Sequence, residues 1–131
     1  MTHRSRLAGF IIDCQTLAAN PRHLETAAAF WSGALGLPVI DPDAGDGIYA
    51  QLADGPGGLH IEVQTVEHAS RVHLDIESDD IDAEADRLEA LGAKRIGFVK
   101  RWWVMEAPTG QRFCVVKMHH PEKGVAPNVW G

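Results

Sequence analysis

The sequence predicts an α+β fold of two tandem β-α-β-β modules, of the βαβββ type, with curved sheets around a cavity and helices on the outer faces. Three observations predict it. Strand-like and helix-like patterns follow the same order in both halves, residues of the two halves correspond at one constant offset, and the strands alternate apolar with polar side chains.

In the first half, Leu7 to Cys14 (LAGFIIDC) is a short apolar run suited to a strand. Asn20-Pro21 then reads as an N-cap followed by a proline at the first helical position, with the helix near 21–35. Leu24, Ala28, Trp31 and Leu35 recur at helical spacing, and Gly36 closes the helix as a C′ glycine. Leu37 to Gly47 reads as a loop with room for a short extra strand. Ile48 to Ala53 and Leu59 to Val66 are strands around the turn Asp54-Gly55-Pro56-Gly57-Gly58.

The second half repeats that order. Val72 to Glu77 is a strand, and Asp79 or Asp80 caps a helix near 80–91 with the stripe Ile81, Ala85, Leu88 and Leu91, ended by Gly92. Asp82, Glu84, Asp86 and Glu89 read as its solvated face, the early acids also favoured by the helix dipole. Arg101 to Glu106 and Gln111 to Met118 close the half around Ala107-Pro108-Thr109-Gly110. One offset carries Pro56 onto Pro108, Gly58 onto Gly110, Leu52 onto Val104, Ile61 onto Phe113, Glu62 onto Cys114 and Val63 onto Val115. Such an internal repeat fixes architecture, because each unit must bury its open face against something.

At 131 residues the chain suits one domain, 1–131, with module one at about 7–67, module two at about 71–119 and a tail at 120–131. Apolar content of 45% and charged content of 23% are ordinary for a globular protein. The net charge of −6 argues against nucleic acid or an anionic membrane as partner, since both need a basic patch. No apolar run approaches bilayer length, and Met1 to Arg6 lacks the apolar stretch of a signal peptide. Two cysteines are too few for a disulfide framework, so a cytoplasmic protein with free thiols is expected. In the tail, Val125, Val129 and Trp130 are costly to leave in water, so it should pack across a sheet edge or onto a second copy, giving a homodimer.

Strand alternation sorts the faces. Phe10, Ile12 and Cys14, then Leu59, Ile61 and Val63, then Val72, Leu74 and Ile76, and finally Phe113 and Val115 should pack on the helices. That leaves Gly9, Ile11, Asp13, His60, Glu62, Gln64, His73, Asp75, Glu77, Arg112, Cys114 and Val116 facing inward. A merely solvated polar face is the plain alternative, and it weighs most for Gln64, Asp75 and Glu77. Buried polar groups, by contrast, need partners or ligands, at a cost of roughly 1–3 kcal/mol each when unmet. Tyr49 and one of Trp102 and Trp103 are candidate walls of a ligand pocket; alternation sends the other tryptophan to the core.

Two β-α-β-β units with His73 opening the second, AFWSGALG at 29–36 and APTGQRFC at 107–114 resemble the vicinal-oxygen-chelate superfamily. That group includes glyoxalases, extradiol dioxygenases, fosfomycin-resistance enzymes and bleomycin-binding proteins, and the resemblance is to its small glyoxalase-like bacterial branch. Metal-bearing members take ligands from the first and last strand of each unit, which here implies positions Gly9, Glu62, His73 and Cys114. Glu62 and His73 match the usual ligand types. Cys114 stands where a Glu is usual, although a thiolate suits zinc and other borderline metals. Gly9 offers no side chain, and Asp13 lies about 13 Å away along the strand at ~3.3 Å per residue.

The resemblance therefore implies a small-molecule ligand and leaves three readings. In one, the cavity binds a small molecule without metal, using Glu62, His73, His60, Gln64, Asp75, Tyr49, Trp102, Trp103 and Arg112. In another, Glu62, His73 and Cys114 hold a divalent ion (zinc, manganese, nickel or iron) for lyase, isomerase or dioxygenase chemistry. In the third, Glu62 and His73 act as a metal-free acid–base pair. All three expect Glu62 and His73 to share one polar site.

Overall fold

The computed structural model describes residues 1–16 and 20–131. It is α+β and runs β1 (His3–Gln15), α1 (His23–Leu35), β2 (Val39–Gly45), β3 (Tyr49–Leu52), β4 (His60–Val66), β5 (Arg71–Ser78), α2 (Ile81–Ala90), β6 (Lys94–Val99), β7 (Trp102–Glu106), β8 (Arg112–Lys117) and β9 (Asn128–Trp130). The β-α-β-β-β order thus appears twice, followed by a short tail strand. By its contacts the chain divides into two compact units, Phe10–Val72 and Met1–Gly9 with His73–Gly131.

In the unit Phe10–Val72 the strand order is β2-β3-β4-β1, with β3 antiparallel to both β2 and β4. Ile12, Ala27, Leu52, Ile61 and Val63 are buried together, and Phe10, Cys14, Leu24, Trp31 and Leu37 pack around them. The alternation expected for β1 and β4 is therefore the one observed. Burial pushes the Cys14 thiol up, against a smaller opposing effect of its bond to Trp31. Gly36 ends α1 at φ 70° with its N–H on the Ser32 carbonyl, the left-handed cap that favours glycine.

Two expectations change in this unit. The helix starts at His23 rather than Pro21, and Asn20 is not its cap. The Asn20 Oδ1 instead accepts the Arg22 N–H at 3.0 Å, because an Asn amide competes for the backbone two residues on and so closes a turn before the helix. The stretch read mainly as a loop contains strand β2, whose register on β3 slips between Val39, Asp41 and Gly45. Proline at 42 and glycine at 45 obscure its strand pattern.

In the unit Met1–Gly9 with His73–Gly131 the order is β1-β5-β8-β7-β6, and β9 pairs with β1. Strands β5 and β8 are parallel, while β7 is antiparallel to β8 and β6. Ala85, Leu88, Met105, Phe113 and Val115 form the core, flanked by Ile76, Ile81, Ala93, Trp103 and Ala107. Asp80, one of the two expected caps, accepts the Ala83 N–H at 3.0 Å. Strand β6 is an addition: Lys94, Arg95 and Gly97 gave its sequence no clear apolar alternation. Val72 and Leu74 are corrections, being 57% and 49% exposed, so of that trio only Ile76 reaches the α2 core.

Glu84 is the largest correction. Read as part of a solvated face, it is fully buried. It follows Ile81 by three residues and precedes Leu88 by four, which places it on the stripe rather than opposite to it. Arg87 donates from Nε and NH2 to its two carboxylate oxygens at 2.7 and 2.8 Å, and the His3 ring approaches at 2.9 Å. Burial alone would raise its pKa, but the bonds from Arg87, His3 and Ser5 outweigh that and hold it below the usual carboxylate range.

The tail packs across a sheet edge, as one of its two expected placements had it. His3, Arg4 and Ser5 pair with Trp130, Val129 and Asn128. The Trp130 indole N–H donates to Ser5 Oγ at 2.8 Å, and the Arg87 guanidinium lies over its ring at 3.9 Å. Upstream, Arg6 gathers the tail around itself. It donates to the carbonyls of His120, Lys123 and Val125 at 2.8, 2.6 and 2.7 Å and to Glu77 at 2.7 Å. Charge-assisted bonds of this kind each contribute about 1.5–3 kcal/mol, so Arg6→Ala is expected to speed amide exchange across 120–130 by tenfold or more. Unchanged exchange there would mean that β9 pairing alone holds the tail.

Candidate functional site

Strand alternation on the α2 unit leaves a polar face opposite the helix. Asp75 pairs with Cys114, Glu77 with Val116, Val104 with Cys114 and Glu106 with Arg112. Extending each register by one residue sets His73 beside Arg112 and Val116 beside Trp102. Three rows result: His73, Arg112 and Glu106; Asp75, Cys114 and Val104; Glu77, Val116 and Trp102. His73 and Asp75 share the face because they are two residues apart on one strand.

The side chains of His73 and Asp75 are 13% and 16% exposed, and His73 Nε2 lies 3.6 Å from Asp75 Oδ1. One ligand atom from each of His73, Asp75 and Cys114 falls within 4.8 Å of the others. An imidazole nitrogen, a carboxylate oxygen and a thiol sulfur form a donor set that suits a divalent ion of borderline softness. Arg112 meets Glu106 through Nε at 3.6 Å. Glu77 is engaged by Arg6.

The other unit carries a second polar ladder, on the face of β3 and β4 opposite α1. Gln64 donates to the Tyr49 hydroxyl at 3.0 Å, His60 Nε2 and Glu62 Oε1 are 2.8 Å apart, and the Gln51 amide reaches His60 Nδ1 at 3.4 Å. A neutral His60 with its proton on Nε2 satisfies both neighbours, since the Gln51 amide then donates to Nδ1. On the first strand Asp13 is 2% exposed, with the Arg71 guanidinium 3.8 Å away.

The predicted residues thus fall into two groups, His73, Asp75 and Cys114 in one unit and Tyr49, His60, Glu62 and Gln64 in the other. Asp75, expected to face inward among the ligand-binding residues with a solvated face as its plain alternative, is the carboxylate that the structure puts beside His73. The signal for it was the His-x-Asp spacing, and the missing piece was the parallel register that brings Cys114 alongside. Of the paired tryptophans, Trp103 belongs to the α2 side. Its indole donates to Asp82 at 2.8 Å, and its ring touches Phe98 edge-on and lies under Arg95 at 4.6 Å. Trp102 is the one on the polar face. Gln51 and Arg6 went unread, because neither residue type at its position carries a pattern.

Known proteins agree with this architecture. No curated protein sequence matches the chain. Methylmalonyl-CoA epimerase from Streptomyces coelicolor, in complex with 2-nitronate-propionyl-CoA, superposes with a TM-score of 0.59 at 16% identity, covering 86% of this chain and 96% of that one. Methylmalonyl-CoA epimerase from Mycobacterium tuberculosis gives 0.58 at 16% identity, covering 86% and 89%. Homoprotocatechuate 2,3-dioxygenase from B. fuscum gives 0.55 at 16% identity, covering 93% of this chain but 33% of that one. At such identities these likenesses establish the fold alone. Among the described residues no helix is long and apolar enough to cross a membrane. Residues 16–116, most of the sequence, match the family described as the glyoxalase-like domain, and the chain belongs to that family.

Proposed function

We propose that this chain binds a small oxygen-bearing molecule at a divalent cation held by His73, Asp75 and Cys114. The observation that carries the reading is the convergence of these three donors on one face of one unit. His73 would bind as neutral imidazole, Asp75 as carboxylate and Cys114 as thiolate, and three protein ligands leave a position open for a ligand oxygen. The thiolate favours zinc over manganese or magnesium among available ions. Bound there, the ion supplies polarisation of that oxygen. The protein's own contribution is to fix the donors on two hydrogen-bonded strands, whose register sets their spacing. That the similar structures include an epimerase solved with a CoA ester and a dioxygenase is consistent with a small-molecule site.

The test is metal content. Protein purified without chelator or His tag, loaded with zinc and dialysed, should keep about one ion per chain, and His73→Ala should keep less than about a tenth. A wild-type chain that retains no zinc, nickel, manganese or iron rejects the cation and returns the reading to a metal-free binder.

A further inference from the structure

The arginines of the α2 unit are mostly spoken for. Arg4 is hydrogen-bonded to Asp79, Arg6 to Glu77 and four tail carbonyls, Arg87 to Glu84, and Arg95 to Glu89 and Asp86. Arg112 differs. Its contact with Glu106, through Nε, is 3.6 Å long, too far for a hydrogen bond, and among the described residues its terminal NH2 groups meet no hydrogen-bond partner. Its side chain is 37% exposed and stands on the same face as Cys114, two residues along the strand and one strand from His73. Two residues of strand span about 6.6 Å, so the guanidinium head is within a small molecule's length of the three donors. On the far side of Cys114 the row Val116 and Trp102 is half-buried and apolar or aromatic.

We propose that Arg112 is the specificity-determining anchor for a carboxylate on the small molecule, whose apolar body lies toward Val104, Val116 and Trp102. A planar guanidinium presents two parallel N–H donors that match a carboxylate fork, and a lysine at the same place could offer only a point charge. The neighbouring acids do not cancel this attraction. Glu77 is paired with Arg6 at 2.7 Å, Asp75 lies 3.6 Å from the His73 ring, and the Glu106 contact with Arg112, at 3.6 Å, is longer than a hydrogen bond. The inference rests on the reading of this face as the ligand site but does not need the cation.

The experiment compares phenylacetate with the near-isosteric neutral phenylacetamide by calorimetric titration, on zinc-loaded and on chelator-stripped protein. Phenylacetate should bind wild type about tenfold tighter than the amide, and Arg112→Gln should cut that margin below about threefold. Arg112→Lys should keep part of it, and Glu106→Gln, which releases the guanidinium, should keep or widen it. Equal affinities in wild type, no binding of either probe at about 10 mM, or a full margin in Arg112→Gln each overturns the anchor. Failure of the cation reading is separate and shows only in the metal content.

Discussion

Glu84→Ala is expected to cost about 3–5 kcal/mol of stability, a fall in Tm of roughly 10–20 °C for a domain of this size. The size follows from what the substitution leaves behind. Arg87 loses both carboxylate bonds, His3 loses its partner, and the half-buried Arg87 charge stays over the Trp130 ring. Glu84→Gln keeps the volume and part of the hydrogen bonding, so it should fall between wild type and Ala. The pH dependence has a definite sign. The folded-state pKa lies below the ordinary 4.5, so the network's contribution is present above that value and is lost as pH falls through the lowered one. Acid unfolding of Glu84→Ala should therefore start from a lower plateau and slope less in that range. Because Trp130 shares Ser5 and Arg87 with this network, amide exchange in β9 should rise in the same variant. A Tm within 2 °C of wild type, about half a kcal/mol at this size, would show that the ion pair does no more than balance its own desolvation.

The two βαβββ modules were legible because their signals are local and repeated. Gly36 and Gly92, Asp80 and the paired Pro-x-Gly turns mark element ends by chemistry that needs no tertiary context. What stayed hidden depended on partners distant in sequence. Glu84 looks like any helical acid until His3 arrives from eighty-one residues away to share its burial. Strand β6 has a weak pattern of its own and is fixed by pairing with β7. The site shows the same division. Alternation placed Glu62, His73, Asp75 and Cys114 facing inward from sequence alone, and the resemblance then drew attention to Glu62, His73 and Cys114 by position but not to Asp75. Only the parallel pairing of β5 with β8 singles out Asp75 as the acid next to His73 and Cys114.

That difference yields the other large effect. If the cation is held by His73, Asp75 and Cys114, then Asp75→Asn should weaken zinc binding by about 100-fold or more, as loss of a charged ligand does. Glu62→Gln should leave zinc affinity within about threefold of wild type, because Glu62 already has His60 at 2.8 Å and serves the ladder of its own unit. Cobalt substitution adds a readout independent of affinity. A Cys114 thiolate on Co²⁺ gives an intense near-ultraviolet charge-transfer band, which Cys114→Ser should abolish while Asp75→Asn shifts the visible bands instead. The opposite pattern, zinc lost in Glu62→Gln and kept in Asp75→Asn, would restore Glu62 as the ligand implied by the family resemblance and make Asp75 a mere neighbour.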